Sequence, residues 1–115
     1  MFTAGRISHV LRKGAVLAPD EEAPIHEDGV GVAAAMWDPE LVMAGDADKD
    51  EFALARRVIG HVAERFGAPP LYARVDMLPG PDGEPVLLEL EAVEPCLYLG
   101  TAPGAAGRLA PIVRA

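Results

Sequence analysis

The chain has a single cysteine among its 115 residues. A lone Cys96 excludes a disulfide framework and a cysteine-rich zinc site. It reads as a small buried thiol in a reducing compartment. Positive charge is also scarce, with 10 Lys and Arg against 18 Asp and Glu and a net charge of −8. That balance excludes a nucleic-acid binder that works through a basic patch, and it disfavours anionic membrane. No apolar run is long enough to span a bilayer. Met1 to Arg6 contains no secretory apolar region. The expected setting is therefore cytoplasmic, with neither nucleic acid nor membrane as partner. Aromatic residues make up only 5%, and Trp37 and Phe66 are expected in the core rather than as surfaces for stacking bases. His9, His26 and His61 show no metal-ligand spacing among themselves. Ser8-His9 lacks the acid partner and the Gly-x-Ser-x-Gly elbow of a nucleophile. No Walker-type phosphate loop is present.

Apolar residues are plentiful at 50%, and so are the 12 Gly and 11 Pro. One domain with a real core is the first expectation. Arg6 to Lys13 reads as a strand, preceded by a stub too short for an obvious partner. Residues 18–45 read as a loop, punctuated by Pro19, Pro24, Gly29 and Asp38-Pro39. Asp46 to Phe66 is the best helix. Leu54, Val58, Val62 and Phe66 recur at every fourth position, with Ala55, Ile59 and Ala63 beside them. Asp46 or Asp48 can cap it, and Gly67 with Pro69-Pro70 ends it. Leu71–Leu78 and Val86–Val93 read as strands, and a short helix is expected near Gly104–Arg114. This order indicates an α+β fold, a mostly antiparallel sheet with helices packed on one face.

The hairpin between the last two strands holds the chemistry. A two-residue turn centred on Asp82-Gly83, or a four-residue loop from Pro81 to Glu84, sets the same register. Asp76 then faces Glu89, and Arg74 faces Glu91. Residues two apart share a face, so all four lie together, while Ala73, Val75, Met77, Leu88 and Leu90 take the apolar side. Acids are depleted in strands, and like charges directly opposed are destabilising. One Arg offsets part of that repulsion. A hard divalent cation would offset the rest. A solvated face with one ion pair is the plainer reading of the same residues.

Leu71-Tyr-Ala-Arg-Val-Asp-Met, followed by Pro85-Val-Leu-Leu-Glu-Leu-Glu-Ala-Val-Glu-Pro, resembles the C-terminal subdomain of ATP-grasp enzymes. There, an Arg-x-Asp strand leads through a turn to Glu-x-Asn or Glu-x-Glu. The Glu-Leu-Glu form is similar to the glutathione-synthetase-like branch, and most of all to bacterial cyclo-ligases and amino-acid ligases. Gly5-Arg-Ile-Ser-His-Val-Leu-Arg-Lys13 resembles that branch's Gly-x-x-Ser-His-Ala-x-Arg-Lys hairpin. Ala105 to Ala110 resembles its closing helix.

The resemblance implies Mg²⁺ ligands at Asp76, Glu89 and Glu91, with Mn²⁺ as a substitute and one or two ions in all. Glu91 stands where much of the superfamily has Asn. The resemblance also places Arg74 on the transferred phosphate or acyl phosphate, and Arg12 and Lys13 as phosphate contacts at the mouth of the site; His9, beside Ser8, is a further candidate cofactor-binding residue of the pocket. The implied reaction uses ATP to join a small carboxylate to an amine, or to close a ring, through an acyl phosphate. The similarity covers about residues 1–14, 46–66 and 71–115, roughly the last third of such an enzyme. The lysine-bearing ATP subdomain is missing. Residues 1–115 are therefore expected to be a single partial domain, a truncated or split chain that is inactive alone and partnered by the missing N-terminal part. A non-catalytic ATP-grasp remnant and an acidic α+β binding module are the alternatives.

Overall fold

The computed structural model describes residues 1–29 and 31–114. Val30, inside the expected 18–45 loop, and Ala115, at the chain's last position, lie outside them. The fold is α+β. Strands β1 (Phe2–Thr3), β2 (Arg6–Ile7), β5 (Tyr72–Pro79) and β6 (Pro85–Glu91) form a four-stranded sheet in the order β2-β1-β5-β6. All its pairings are antiparallel. Strands β3 (Val10–Lys13) and β4 (Val42–Gly45) form a separate antiparallel ribbon. Helix α1 (Lys49–Phe66) packs on β5 and β6, and helix α2 (Ala105–Val113) lies against β1.

The stub before Gly5 is a strand after all. Two residues suffice because Ala4 and Gly5 both take positive φ, 46° and 74°. That is the two-residue turn whose twist suits a hairpin. The expected Arg6–Lys13 strand is broken at Ser8 and His9. His9 is buried and bonds Leu97 through its ring, so the chain leaves one sheet and enters another. The expected loop over residues 18–45 is also corrected at its end. Ala34–Trp37 forms a 3₁₀ turn, and Val42–Gly45 pairs with β3.

Helix α1 begins as its sequence implies. Asp48 accepts from the backbone N–H of Asp50 and Glu51, and the Glu51 side chain accepts from the N–H of Asp48. This reciprocal pair satisfies donors that the first helical turn leaves unpaired. Gly67 ends the helix in the left-handed conformation.

The register pairs Arg74 with Glu91, Val75 with Leu90 and Asp76 with Glu89. Beyond Asp76 a bulge shifts the pairing by one residue, and the loop spans Gly80 to Glu84 rather than a two- or four-residue turn. Leu88 is displaced from the core face by that bulge and is 61% exposed.

The core is thin. Phe2, Ala55, Ile59 and Ala73 are its buried members, with Ile7, Val75, Met77 and Leu90 packed around them. Trp37 and Phe66, expected inside, are exposed, and so is Cys96, beside a buried Pro95. Trp37 lies on a 3₁₀ turn with no buried residue, and Phe66 is the last residue of its helix, beyond the reach of the sheet. No helix among the described residues is long and apolar enough to cross a membrane.

With so few large buried side chains, Ile59 carries an outsized share of the core. Ile59→Ala is expected to cost about 2–4 kcal/mol, measured as a lower urea midpoint with an unchanged slope.

Candidate functional site

The strand pair positions four charged side chains on one sheet face, as its period of two requires. Arg74 is their centre, with its side chain only 10% exposed. Its Nε donates to both Asp76 carboxylate oxygens at 2.9 and 3.0 Å. Its Nη2 donates to Glu91 Oε1 at 2.6 Å and stands 3.6 Å from Glu89 Oε2. Its Nη1 points to the carbonyl of Cys96 at 3.4 Å. Burial acts to lower the Arg74 pKa, but Asp76 and Glu91 overcome it and leave the value raised. The guanidinium is thus permanently charged, which the fork geometry of three acids requires.

Lys13 arrives from the β3–β4 ribbon and donates to Asp76 Oδ2 at 2.9 Å. Three carboxylates therefore meet two cations on this face, and one negative charge is left over. Asp76, Glu89 and Glu91 converge on Arg74 rather than on a point of their own. Among the described residues no group of three or more His, Cys, Asp or Glu side chains is gathered as a metal-holding cluster.

A cavity of about 610 Å³ opens beside this cluster. Arg12, Lys13, Arg74, Asp76 and Glu89 give it a charged end. Phe2, Val10, Phe52, Val75, Met77 and Leu88 give it an apolar one.

Arg12 lines the same cavity, but its guanidinium is engaged by Glu51, which accepts at 2.6 and 2.8 Å. This contact lowers the Glu51 pKa and raises that of Arg12. Glu51 thereby caps the helix and fastens the ribbon to it at once. Spacing gave no sign of this pairing, because the partners lie 39 residues apart.

His9 is not among the residues lining the cavity. Its Nε2 lies 3.0 Å from the Leu97 carbonyl, and its Nδ1 lies 3.0 Å from Ser8 Oγ. A carbonyl only accepts, so Nε2 carries the proton and Nδ1 accepts from the Ser8 hydroxyl. Arg108 Nε donates to the same Ser8 oxygen at 3.4 Å. This chain ties the N-terminal segment to the loop after β6 and to α2. Tyr98, on that loop, lies beside both Lys13 and Arg74. A single aromatic in an irregular stretch offered no pattern by which to find it.

Burial lowers the His9 pKa, and nearby Arg108 acts in the same direction against the Leu97 bond. The folded state therefore resists protonating this ring more than the unfolded chain does. Stability from His9 is complete above its ordinary value of 6.5 and is lost as pH falls through its lower folded value. Urea unfolding followed from pH 7.5 to pH 5 should show that decline, and His9→Phe should flatten it.

No family model matches the chain. It is 34% identical over 100 residues to the cycloserine biosynthesis protein DcsG of Streptomyces lavendulae, a match that covers 85% of this chain and 30% of the relative. Its fold superposes on the crystal structure of D-cycloserine synthetase DcsG with a TM-score of 0.76 and 32% identity, over 97% of this chain and 35% of that one. The chain spans about a third of the length of the proteins it matches. Agreement in both sequence and fold makes this chain homologous to part of D-cycloserine synthetase.

Proposed function

We propose that the chain is the C-terminal, nucleotide- and Mg²⁺-handling subdomain of an ATP-dependent ligase of the ATP-grasp type, acting in the cytoplasm. The observation that carries this reading is the cluster of Arg74, Lys13, Asp76, Glu89 and Glu91, of which all but Glu91 line the cavity. Its donor set suits a hard divalent cation, which takes carboxylate oxygens together with phosphate oxygens. Glu89 supports the fit most directly. Its side chain is 50% exposed and its contact with Arg74 is the longest of the set, so its oxygens retain capacity for a ligand.

In this reading Asp76, Glu89 and Glu91 would hold Mg²⁺, or Mn²⁺ in its place. The bound ion would neutralise charge on the nucleotide's phosphates. Arg74 and Lys13 face the transferred phosphoryl group, and Arg12 stands at the mouth of the site. A substrate carboxylate oxygen attacks the γ-phosphorus, and ADP departs. The amine nitrogen then attacks the acyl carbon, phosphate leaves, and the nitrogen gives up a proton. The residues here position and stabilise charge, as phosphoryl transfer demands. The small substrate is a carboxylate with an amine, or a molecule bearing both.

Residues 1–115 form one partial domain of that enzyme, inactive by itself and completed by the remaining two thirds. Two measures of shape support this. The exposed area is 8259 Å², against about 6,000 Å² for a folded monomer of this mass. The radius of gyration is 16.0 Å, against about 13 Å for a compact domain of this length. Surface is exposed that a whole protein would cover.

Titrating Mg²⁺ with ATP should shift the amide resonances of Asp76, Glu89 and Glu91 together. Glu89→Gln should weaken that binding about tenfold by removing one ligand charge, while Arg74 keeps its bonds to Asp76 and Glu91. Wild-type protein with no shift at these three positions would refute the metal site and leave an acidic binding face.

A further inference from the structure

Two cations, Lys13 and Arg74, reach the same carboxylate from different elements. Lys13 comes from the ribbon and Arg74 from the main sheet, and both touch Asp76. Glu91 and Glu89 offset charge on the Arg74 side, whereas Asp76 is the carboxylate bonded to Lys13. Tyr98 is what lies beside both cations. Lys13 Nζ is 5.6 Å from the centre of its ring and the Arg74 guanidinium carbon is 6.0 Å from it. These are distances at which a cation is attracted to an aromatic face.

The backbone behind Tyr98 is unusual in the same respect. Tyr98 has φ of +48°, and Glu94, at the other end of the same stretch, has φ of +52°. A bulky residue adopts this region only when its surroundings fix it there. Those surroundings are visible. The Leu97 carbonyl accepts from His9, the Cys96 carbonyl faces Arg74, and the Tyr98 carbonyl accepts from the N–H of Thr101 at 3.0 Å. The Cys96 and Leu97 carbonyls are thus held from other elements, and the Tyr98 carbonyl by the turn to Thr101.

We infer that Tyr98 is a positioning residue that holds Lys13 and Arg74 side by side against the carboxylates, on a strained turn latched by His9. It acts through the two cations, and His9 acts through Tyr98. The consequence for the site is a pair of positive charges fixed in advance of any phosphate that enters. This rests on the proposed nucleotide reading only for its effect on binding. The placement of the cations stands apart from it.

The test separates the two. The chain has two lysines, Lys13 and Lys49. Lys49 lies exposed at the start of α1 and serves as the internal reference. In the free protein the side-chain Hε protons of Lys13 should be displaced upfield of those of Lys49 by the Tyr98 ring current. Lys13 protons at the Lys49 position in wild-type protein would overturn the inference without any variant. Tyr98→Leu, which keeps apolar bulk, should abolish the displacement and move the Arg74 Nε–H resonance. Tyr98→Phe, which keeps the ring face, should preserve both. If Tyr98→Leu behaves as wild type, the ring is only a plug and the inference fails. With Mg·ATP as the probe, Tyr98→Leu should bind about three- to tenfold more weakly and Tyr98→Phe as wild type. A wild-type chain that shows the ring-current displacement but binds no Mg·ATP removes the nucleotide reading and leaves the role of Tyr98 in place.

Discussion

Everything on the charged face depends on one guanidinium. Arg74 sits in the second strand from the edge, nearly shut off from water, with two carboxylates bonded to it and a third close by. Without it three acids would crowd one sheet face, and the pairing of β5 with β6 would be opposed by their repulsion. With it, the same acids become a reason for the register. A slip of one residue would carry Arg74 into the side where Ala73, Val75 and Met77 pack. The arginine also reaches past the sheet to the Cys96 carbonyl. The strand pair, the loop after it and the charged site are therefore fixed by a single side chain with five donors.

The helix ties a second body to this frame. Glu51 closes the capping box of α1 and simultaneously holds Arg12 with two bonds. Lys13 anchors the ribbon a second time, to the main sheet through Asp76. Two adjacent residues of β3 thus dock in different directions, one onto a helix terminus and one onto a sheet. The cavity lies in the angle between them. Its charged end is made where these two ion pairs and the hairpin meet.

How much of this was legible beforehand depends on the range of the forces involved. Alternation and a two- or four-residue turn, both local, predict the pairing of Asp76 with Glu89 and of Arg74 with Glu91; the structure has that pairing, but a five-residue loop offset by a one-residue bulge produces it. Helix α1 follows from its stripe and its caps, again local. The bulge at Asp76/Met77 was not visible, because it answers to the five-residue loop from Gly80 to Glu84 and to the prolines beside it. Strand β4 was hidden because its partner is some thirty residues away and its own Ala and Gly favour nothing in particular. Hydrophobicity alone points Trp37 and Phe66 to the core, yet what covers an aromatic is a tertiary fact. The contacts of His9 with Leu97 and of Tyr98 with two cations join segments with no common periodicity. The site's acids were therefore readable, and the parts that hold its cations were not.

The free edge of β6 carries Val86, Leu87 and Leu88 in succession, all exposed. An uncovered strand edge with apolar side chains is a template on which another extended chain can add. Inside a larger protein that edge is harmless. Released by itself, the chain offers that edge continuously. Its lifetime in a cell would then be set less by its folding free energy than by how quickly chaperones, proteases or other copies find that edge.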